Sequence, residues 1–496
     1  MQTVTSVGVM RQSDASTIEA GISGLELMYR AGKAIFESFS WQGKTAIVCG
    51  AGNNAGDGYV LATLLQKAGV DCSVILLSER FSEEGRYYFN QCKSMGVEIC
   101  FYREFIDFAE YTEIVDCIFG TGFSGEVDGI YADVIQKINR SGKKVISVDI
   151  NSGLCGNNGQ GKIVVNSDLT LSIGFYQYGH FLGKAKDVMI EKRNLDIGIG
   201  LCGDAARLVE ASDFGEVLKK RMQFSHKGDY GYVALLGGCR EYAGAVKLAN
   251  LSCAALRAGC GVATLIVPDS IANSVAPYLL ESTLAVLPDE QGHLLPDFVA
   301  LDRILVRQNA LAIGMGWGKN AYHADILKHI LKNYSIPLVI DADGLNTLAE
   351  MDELFLQSSQ CNILLTPHLK EFSRLSGHTV EEILVSPIEL AREYAARNHV
   401  TLLLKGPCTV ITDGEEVLLC DRGSAGMATA GSGDVLSGIL VGLLGFAPLT
   451  PLTAACGAYI AGLAGEMAEH EINEISMLAS DTVRNVGKAI TSILNA

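Results

Sequence analysis

A glycine-rich stretch late in the chain contains the residue types that bind and transfer a phosphoryl group. Residues 423–433 are rich in glycine, serine and alanine, and Asp434 follows them at the start of an apolar run that begins at Val435. Glycine at a helix start leaves main-chain N–H groups open to an anion, and the helix dipole adds to the attraction. Asp434 can then accept a proton from a hydroxyl that attacks a phosphoryl group. An anion-binding loop directly followed by a carboxylate predicts in-line phosphoryl transfer. The alternative is that residues 423–433 form a plain loop that only caps the helix.

The sequence contains no Walker A loop, so a nucleotide must be bound in another way. The nearest match, Gly43-Lys44-Thr45, lacks the first glycine because position 38 is serine, and it precedes its strand rather than following it. A nucleotide-binding chain without this loop indicates a ribokinase-like architecture. Polar motifs at 341–346 and 366–371 follow two predicted strands, and we expect His368 to face the same crevice. A purely structural histidine is the alternative.

A second glycine-rich loop lies near the start of the chain, at residues 50–58. Gly50, Gly52 and Ala55 match the dinucleotide-binding pattern G-x-G-x-x-G/A, which is a weak signal alone. Asp57 argues against ordinary pyrophosphate binding, because it places a carboxylate at the helix start where phosphate would lie. Two successive asparagines make a polar cup suited to a cation or to sugar hydroxyls. The alternative is a tight turn with Asp57 as a helix cap.

Acidic residues follow two further predicted strands of the first half. Asp116 lies at the end of one strand and Asp149 at the end of the next. The carboxyl ends of parallel strands meet at one edge of a sheet, so we expect these groups to converge. Oxygen atoms of Asn54, Asp116 and Ser152 are suitable ligands for a hard cation, and Asp149 is then the candidate for acid–base chemistry. Separate helix caps are the alternative.

The elements that must position these loops alternate between strands and helices. Strands are predicted at 45–49, 72–77, 114–117 and 145–150, and then at 232–236, 263–267, 311–313, 338–340, 362–366, 401–404 and 409–412. Segments such as 59–68 between them have apolar residues at helical spacing. This alternation predicts an α/β chain whose parallel sheets carry helices on both faces. The stretch 205–223, interpreted as helical and charged, is the expected seam between domains 1–211 and 212–496.

Composition and charge exclude several classes of protein. Hydrophobic residues make up 48% and charged residues 19%, too apolar for a disordered chain. The 39 basic and 56 acidic side chains leave a net charge of −17, which disfavours nucleic acid and anionic membranes. The 14 cysteines include no C-x-x-C pair, so we expect reduced, buried thiols. No signal peptide or spanning segment is evident, which predicts a cytoplasmic protein.

Taken together, the motifs resemble those of the bifunctional NAD(P)H-hydrate repair enzymes across nearly the whole chain. They read GAGNNAGDG at 50–58, DCIFGTGFSGE at 116–126, VDINSG at 148–153, SHKGDYG at 225–231, GAVKLANLSCAALRAGCG at 244–261, IGMGWG at 313–318, DADGLN at 341–346, TPHLKE at 366–371 and AGMATAGSGDVLSG at 425–438. The resemblance implies a Rossmann-like three-layer sandwich followed by a ribokinase-like one. The first domain would interconvert the R and S forms of hydrated NAD(P)H, NAD(P)HX. The second would use ADP or ATP to phosphorylate the S-hydroxyl and eliminate phosphate.

The resemblance also assigns site residues. The catalytic carboxylates would be Asp149 and Asp434. Epimerase substrate contacts would be Asn53, Asn54, Ala55, Gly56, Asp57, Gly120, Thr121, Gly122, Phe123, Ser124, Gly125, Glu126 and Asp149, and potassium ligands Asn54, Asp116 and Ser152. Hydrate contacts in the dehydratase would be Ala245, Gly316, His368 and Asp434. Nucleotide contacts would be Lys405, Gly406, Pro407, Cys408, Thr409, Ser424, Ala425, Gly426, Met427, Ala428, Thr429, Ala430, Gly431, Ser432 and Gly433.

Implied cofactors are a potassium ion and a magnesium ion, with ADP or ATP as co-substrate. The expected partners are these small molecules and further copies of the chain, with no nucleic acid and no membrane. Three features depart from the family pattern. Ala55 replaces a glycine, and Asn151 replaces a proline and is expected to loosen the loop that carries Ser152. A histidine common near 459–462 is missing, since Ala461 precedes Gly462. Two other functions are compatible with parts of the sequence. One is a ribokinase-like kinase for a vitamin precursor such as hydroxymethylpyrimidine or hydroxyethylthiazole, and the other is a first domain that only binds ribose-containing ligands or acts as a scaffold.

Overall fold

A computed structural model describes residues 1–103, 106–250 and 254–496. The contacts divide the chain into two compact units, Thr3–Ala206 and Arg207–Ala496, the second joined by Met1–Gln2. Residues 251–253 of the motif at 244–261 lie outside the described residues.

The N-terminal unit is built around a parallel sheet. Its elements are β1 (Gln2–Thr5), α1 (Val7–Glu19), α2 (Gly24–Ser38), β2 (Thr45–Cys49), α3 (Asn53–Lys67), β3 (Cys72–Leu76), α4 (Glu83–Ser94), β4 (Glu98–Phe101), β5 (Glu113–Cys117), α5 (Gly129–Arg140), β6 (Lys144–Val148), β7 (Ser167–Ile173), β8 (Tyr176–Gln177), α6 (Ala185–Val188) and β9 (Met189–Leu195). Seven strands pair in the order β4-β3-β2-β5-β6-β7-β9, and every pair is parallel. The two-residue strand β8 pairs with β1.

The apolar strands at the centre of this sheet are buried on both faces. All five residues of β2 and of β5 are buried, as is typical of central parallel strands, and β5 buries two carboxyl groups, Glu113 and Asp116, among its apolar residues. Helix α2 buries one face through Leu27, Ala31 and Ile35, and the Ser23 hydroxyl at its start accepts a hydrogen bond from the Glu26 N–H. Because β2, β5 and β6 run parallel and are adjacent, the loops that follow them meet at one edge of the sheet.

The C-terminal unit contains a second, larger sheet. Its elements are β10 (Ala206–Leu208), β11 (Tyr232–Leu236), α7 (Ala243–Asn250), α8 (Ala254–Arg257), β12 (Val262–Pro268), α9 (Asp269–Val275), β13 (Thr283–Leu287), β14 (Asp289–Glu290), β15 (His293–Leu294), α10 (Phe298–Leu305), β16 (Ala310–Ile313), α11 (Tyr322–Asn333), β17 (Leu338–Ile340), α12 (Asp343–Ala349), α13 (Leu354–Gln357), β18 (Ile363–Leu365), α14 (Leu369–Ser376), α15 (Val380–Val385), α16 (Pro387–Asn398), β19 (Thr401–Leu404), β20 (Thr409–Thr412), β21 (Val417–Cys420), α17 (Ser432–Leu444), α18 (Pro451–Glu471) and α19 (Ala479–Leu494). Strands β13-β12-β11-β16-β17-β18-β19 are parallel, and β20 and β21 continue the sheet antiparallel.

Helix α17 is the buried centre of this unit. Every residue from Val435 to Leu444 is buried, as expected for a helix that is apolar on all sides. The helix contacts α7, α18 and strand β16, which fixes its direction. Its N-terminus therefore holds Asp434 in a defined position. Among the described residues, no helix combines the length and apolar character that crossing a membrane requires.

The predicted α/β class is confirmed, and every strand predicted from the sequence is present with its ends within two residues. The interpretation of 205–223 as helical is wrong. Arg207 and Leu208 pair with Leu418 and Leu419 of β21, and a 3₁₀ turn at Ala211–Glu216 follows. Pairing with a strand more than two hundred residues away overrides the local helical pattern.

Candidate active sites

A cavity of about 580 Å³ opens in the N-terminal unit where β2, β5 and β6 end. Asn53, Asn54 and Asp57 line it from the first turns of α3. Gly120, Thr121, Gly122 and Phe123 line it from the loop after β5, and Asp149 lines it from the end of β6. The structure thus brings together the residues that the sequence placed on three separate loops.

The other predicted residues of these loops have different surroundings. Ala55 and Gly56 face the core; an added Cβ at Gly56 would lie 2.4 Å from the Met28 sulfur atom. Ser124, Gly125 and Glu126 are exposed, and Glu126 forms an ion pair with Lys162 at 2.5 Å. None of these five residues lines the cavity.

Asp149 is held in an unusual conformation at the cavity wall. Its φ of 66° is left-handed, which is uncommon for a residue other than glycine and marks backbone strain that the surroundings must support. The carboxylate accepts a hydrogen bond from the Thr121 N–H at 2.7 Å, and the His180 Nε2 lies 2.7 Å from the main-chain carbonyl. A Cβ at Gly120 would come within 2.5 Å of the carboxylate oxygen, so only glycine leaves room for it. Burial raises the pKa of Asp149.

Two more carboxyl groups share this cavity, Asp57 on α3 and Asp14 on α1. Burial and the neighbouring Asp149 raise the pKa of Asp14 to about 6. Burial, Asp149 and Asp14 together raise the pKa of Asp57 well above its ordinary value. Each shift favours the protonated form of its carboxyl group, which makes these residues candidates for acid–base chemistry.

The predicted cation ligands Asn54, Asp116 and Ser152 also come together, beside the main chain of Phe119. The Asn54 amide donates to the Phe119 carbonyl at 2.9 Å and to the Val148 carbonyl at 3.1 Å, while its buried Oδ1 has no partner among the described residues. Asp116 is buried, and its oxygens accept from the Ser152 hydroxyl at 2.5 Å and the Ser152 N–H at 2.9 Å. They also accept from the Ser147 hydroxyl and the Ile118 N–H. These four bonds occupy the acceptor positions of Asp116.

In the C-terminal unit, a charged cluster lies at the ends of β17, β18 and β19. The Lys405 ammonium is 2.9 Å from one oxygen of Asp341 and 3.8 Å from Glu371. The other oxygen of Asp341, a residue 2% exposed, accepts from the Ser437 hydroxyl of α17 at 2.7 Å. The cluster therefore ties the sheet edge to the helix that carries Asp434.

Asp434 lies in the first turn of α17, behind Gly431, whose φ is 96°. Burial is the main cause that raises the pKa of Asp434, and Asp341 adds to it while Lys405 opposes it, leaving a pKa of about 7. A base with that pKa is well matched to neutral pH. A Cβ at Gly433 would lie 3.5 Å from the Lys405 ammonium, so the glycine turn directly faces this cation.

His368 and the pair Ala245–Gly316 complete the predicted hydrate contacts. The His368 Nδ1 accepts from the N–H groups of Lys370 and Glu371 and caps α14, so this histidine does have a structural role. Its other face remains half-exposed, and burial and Lys405 lower its pKa. Gly316 has a φ of 63°, and a Cβ there would lie 2.8 Å from that of Ala245. The structure thus places Ala245 and Gly316 side by side.

The glycine-rich loop 424–433 is held by carboxylates of α18. Glu466 accepts from the Gly423 N–H at 2.8 Å and pairs with Arg422 at 2.9 Å, and Glu469 accepts from the Gly426 N–H at 2.8 Å. The hydroxyls of Ser424 and Ser432 are buried without a partner within the described part of the chain. Two orphaned hydroxyls in one glycine loop fit a ligand rich in hydrogen-bond acceptors.

Comparison with known proteins agrees with the two units. Residues 24–179 match the family model described as YjeF-related protein N-terminus, and residues 233–487 match the one described as NAD(P)H-hydrate dehydratase. A bifunctional NAD(P)H-hydrate repair enzyme Nnr of Moorella thermoacetica is 35% identical over 90% of this chain and 88% of its own length. The chain belongs to the bifunctional NAD(P)H-hydrate repair enzymes. The protein of the same name from Escherichia coli is 31% identical over 86% of this chain and 81% of its own.

Solved structures support the fold of the C-terminal unit of this repair enzyme. The ADP/ATP-dependent NAD(P)H-hydrate dehydratase of Bacillus subtilis, co-crystallised with ATP and Mg²⁺, matches with a TM-score of 0.50 and 26% identity. That match covers 58% of this chain and 99% of the other. A ribokinase-like protein from Enterococcus faecalis matches with a TM-score of 0.51 and 25% identity, over 58% of this chain and 96% of the other. The predicted ribokinase-like sandwich is confirmed.

The two departures from the family pattern in the first domain, Ala55 and Asn151, are both accommodated by the packing around them. Ala55 is 1% exposed inside α3, where its methyl group packs in the core. Asn151 is fully buried, and its amide donates to Val165, Ser167 and Val188 while its oxygen accepts from the Thr170 hydroxyl at 2.6 Å. The expectation that Asn151 loosens this loop is wrong, because its side chain supplies the fixation that a proline ring would otherwise provide.

Several residues at the two sites were not assigned from the sequence. Asp341, Glu371 and Ser437 lie inside the motifs 341–346, 366–371 and 425–438, so their type and position were visible although their contacts were not. Asp14 and Glu466 carry no local signal, because each is one acidic residue of an ordinary helix.

Proposed function

We propose that this chain repairs hydrated NAD(P)H in two steps, with residues 1–211 as the NAD(P)HX epimerase and residues 212–496 as the ADP- or ATP-dependent dehydratase. Membership of the repair-enzyme family supports the proposal. The observation that carries it is the arrangement around Asp434: a carboxyl with a pKa of about 7 beside a glycine turn and the Lys405 ammonium. A base, an anion hole and a cation are the three parts that in-line phosphoryl transfer needs.

In the dehydratase, Asp434 accepts the proton of the hydroxyl at C6 of the hydrated nicotinamide ring. The hydroxyl oxygen attacks the terminal phosphoryl group, and AMP or ADP leaves. The C6–O bond of the phosphate ester then breaks, phosphate departs with the electron pair, and C5 loses a proton. The new C5=C6 double bond restores the dihydropyridine ring. Lys405 and the N–H groups of 431–433 stabilise the transferred charge.

The nucleotide would lie against residues 405–409 and 424–433. The buried hydroxyls of Ser424 and Ser432, which lack partners among the described residues, support this placement. Mg²⁺ is usually held by one or two carboxylates together with substrate phosphates, and Asp341 and Glu371 beside Lys405 fit that requirement. When bound, the ion neutralises phosphate charge.

In the epimerase, the hydroxyl at C6 of NAD(P)HX is attached to the carbon next to the ring nitrogen. A protonated Asp149 donates to this hydroxyl, which leaves as water while the nitrogen lone pair forms a C6=N double bond. The planar cation has two faces, and water that adds to the opposite face gives the other epimer. The raised pKa of Asp149 supports its role as the acid.

We also propose that Asn54, Asp116 and Ser152 hold a potassium ion. The unpartnered, buried Oδ1 of Asn54 supports this assignment. Because Asp116 already accepts four hydrogen bonds, one of its oxygens must lose a donor before it can bind a cation. The Ser152 hydroxyl can provide this by donating to the Phe119 carbonyl, 3.2 Å away, instead of to Asp116. A bound cation would fix the loop after β5 relative to α3.

The test is recovery of absorbance at 340 nm from an epimer mixture of NADHX with Mg²⁺, K⁺ and ADP or ATP. Recovery of both epimers that depends on nucleotide supports both activities. If NADH is recovered from the S-epimer alone, after spontaneous epimerisation is subtracted, the first domain is a binding module without epimerase activity. A stable phosphorylated product without NADH would instead support the vitamin-precursor kinase.

The cytoplasmic location and the homo-oligomer both remain predictions. Sedimentation of the purified chain at micromolar concentration measures the oligomeric state directly.

A further inference from the structure

The epimerase cavity is lined by titratable groups from three helices and one strand end. They are Arg11 and Asp14 on α1, Asp57 on α3, Glu84 on α4 and Asp149 after β6. Four of the five are acidic, and Arg11 is exposed and contacts the Gly122 carbonyl at 3.5 Å. The proposed reaction uses Asp149, and the resemblance assigns Asp57 to substrate binding. Asp14 has no assigned role.

Helix α1 holds Asp14 firmly at the cavity wall. The Ser6 hydroxyl caps the helix by accepting from the Val9 N–H. Further along, the Ser13 hydroxyl accepts from the Cys202 N–H at 2.9 Å, and the Thr17 hydroxyl accepts from the Gly200 N–H at 3.2 Å. These bonds bracket Asp14 on both sides and fix the rotation of the helix.

The Asp14 carboxyl accepts no hydrogen bond from any described residue, although it is half-buried in the cavity. Asp149, by contrast, is oriented by the Thr121 N–H. A half-buried carboxyl without a protein partner is costly unless a ligand or a proton satisfies it. Its raised pKa of about 6 agrees with that position.

We propose that Asp14 is the second proton-transfer group of the epimerase and acts as the counterpart of Asp149. This inference rests on the proposed epimerase function. Inversion at C6 removes a hydroxyl from one face of the ring and adds water to the other, and a single carboxyl cannot reach both faces of a bound ring. Asp14 and Asp149 reach the cavity from different elements, as such a pair must.

Epimerisation transfers one proton to the departing hydroxyl and removes one proton from the incoming water. One carboxyl donates its proton to the departing hydroxyl, the C6–O bond breaks, and its electron pair leaves with the water. The second, ionised carboxyl accepts a proton from the incoming water as the new C6–O bond forms from an oxygen lone pair. One carboxyl has lost a proton and the other has gained one. The reverse epimerisation exchanges the two roles and restores the starting state.

Asp14 fits the second role better than the other acidic residues. Burial, Asp149 and Asp14 raise the pKa of Asp57 well above its ordinary value, which favours the protonated form of this group. The Glu84 carboxylate lies against Gly24 at the start of α2, whereas the neighbouring Asp149 raises the pKa of Asp14.

The test follows conversion of purified S-NADHX to R-NADHX by chromatography without nucleotide, which keeps the dehydratase silent. Asp14→Asn should lower kcat of epimerisation about a hundredfold or more with little change in KM, as expected for loss of an acid–base group. The pH profile should also lose one of its two limbs. Glu19→Gln, at the exposed end of the same helix, is the matched control. Dehydratase activity of each variant on S-NADHX checks the fold of the sample.

The outcomes separate this inference from the proposed function. Wild-type protein that fails to epimerise contradicts the proposed function. If the wild-type protein is active and Asp14→Asn keeps its kcat and both pH limbs, the inference about Asp14 is wrong. A rise in KM alone would also overturn it, because Asp14 would then only bind substrate. If Asp14→Asn does not fold, Asp14→Glu is measured instead. A lowered kcat with unchanged KM then supports the role of Asp14 in proton transfer, and an unchanged kcat contradicts it.

Discussion

Replacing Asp434 by asparagine tests the base of the dehydratase directly. Asparagine keeps the shape of the side chain at the start of α17 but cannot accept a proton. General-base catalysis typically contributes about 10²- to 10⁴-fold, so the variant should lose about 3–5 kcal/mol of transition-state stabilisation. The KM values for nucleotide and hydrate should stay close to those of the wild type, because the loop 424–433 is held by Glu466 and Glu469.

The pH dependence gives a second measure of the same residue. With a pKa of about 7, Asp434 is active as a base only when ionised, so kcat/KM rises as pH increases through 7. At pH 6 only about a tenth of the carboxyl is ionised, which predicts a roughly tenfold lower kcat/KM than at pH 8. In Asp434→Asn this limb should disappear.

The assay is the recovery of NADH absorbance at 340 nm from S-NADHX with ATP or ADP and Mg²⁺, between pH 5.5 and 8.5. Asp413→Asn, in the exposed turn between β20 and β21, is the matched control and should behave as the wild type. A wild-type kcat/KM that is equal at pH 6 and pH 8, or an Asp434→Asn variant within a few-fold of the wild type, would refute the assignment.

Three further changes have defined expected outcomes. Gly120→Ala places a Cβ 2.5 Å from the Asp149 carboxylate, so epimerase kcat should fall about tenfold or more while the dehydratase is unaffected. Glu466→Gln removes the charge that holds Arg422 and weakens the acceptor of the Gly423 N–H, so KM for ATP should rise several-fold with KM for NADHX unchanged. Asn151→Leu removes the amide donor from two buried carbonyls and the acceptor of the Thr170 hydroxyl, so the free energy of unfolding, measured with urea, should fall by about 3 kcal/mol or more.

Each change has its own control. Asp128→Asn, at the exposed end of the same loop, should leave epimerisation unchanged; equal losses in both activities of Gly120→Ala would point to unfolding instead. Glu471→Gln removes an exposed ion pair with Lys488 on the same helix as Glu466 and should not affect ATP binding. If it raises KM as much as Glu466→Gln does, the contact with the loop is not the cause. Asn166→Leu replaces an exposed asparagine and should cost little stability, and an equal loss there would contradict the role of the Asn151 bonds.

Much of the site could be read from local patterns. The carboxyl ends of parallel strands lie at one edge of their sheet. A polar residue directly after an apolar strand, such as Asp149, must therefore lie at that edge. Asp434 was equally visible, because it directly follows a glycine-rich run at a helix start, which leaves main-chain N–H groups open to an anion. Strands β7 and β9 were missed, since both mix polar residues into their pattern and β9 lies at the sheet edge.

The sequence by itself determined the fold class, the family and the loops that carry the chemistry, because these depend on residue order and on spacing along one strand or helix. Only the tertiary structure decided which side chains face those loops from elsewhere. Asp14 reaches the cavity of Asp149 from helix α1, and Glu466 contacts Gly423 from 43 residues away. The role of Asn151 could not be predicted for the same reason. Its amide stabilises the loop only because the packing of β7 and α6 supplies three acceptors for it. Local patterns constrain a residue's own element, whereas partners, burial and pKa follow from how separate elements pack together.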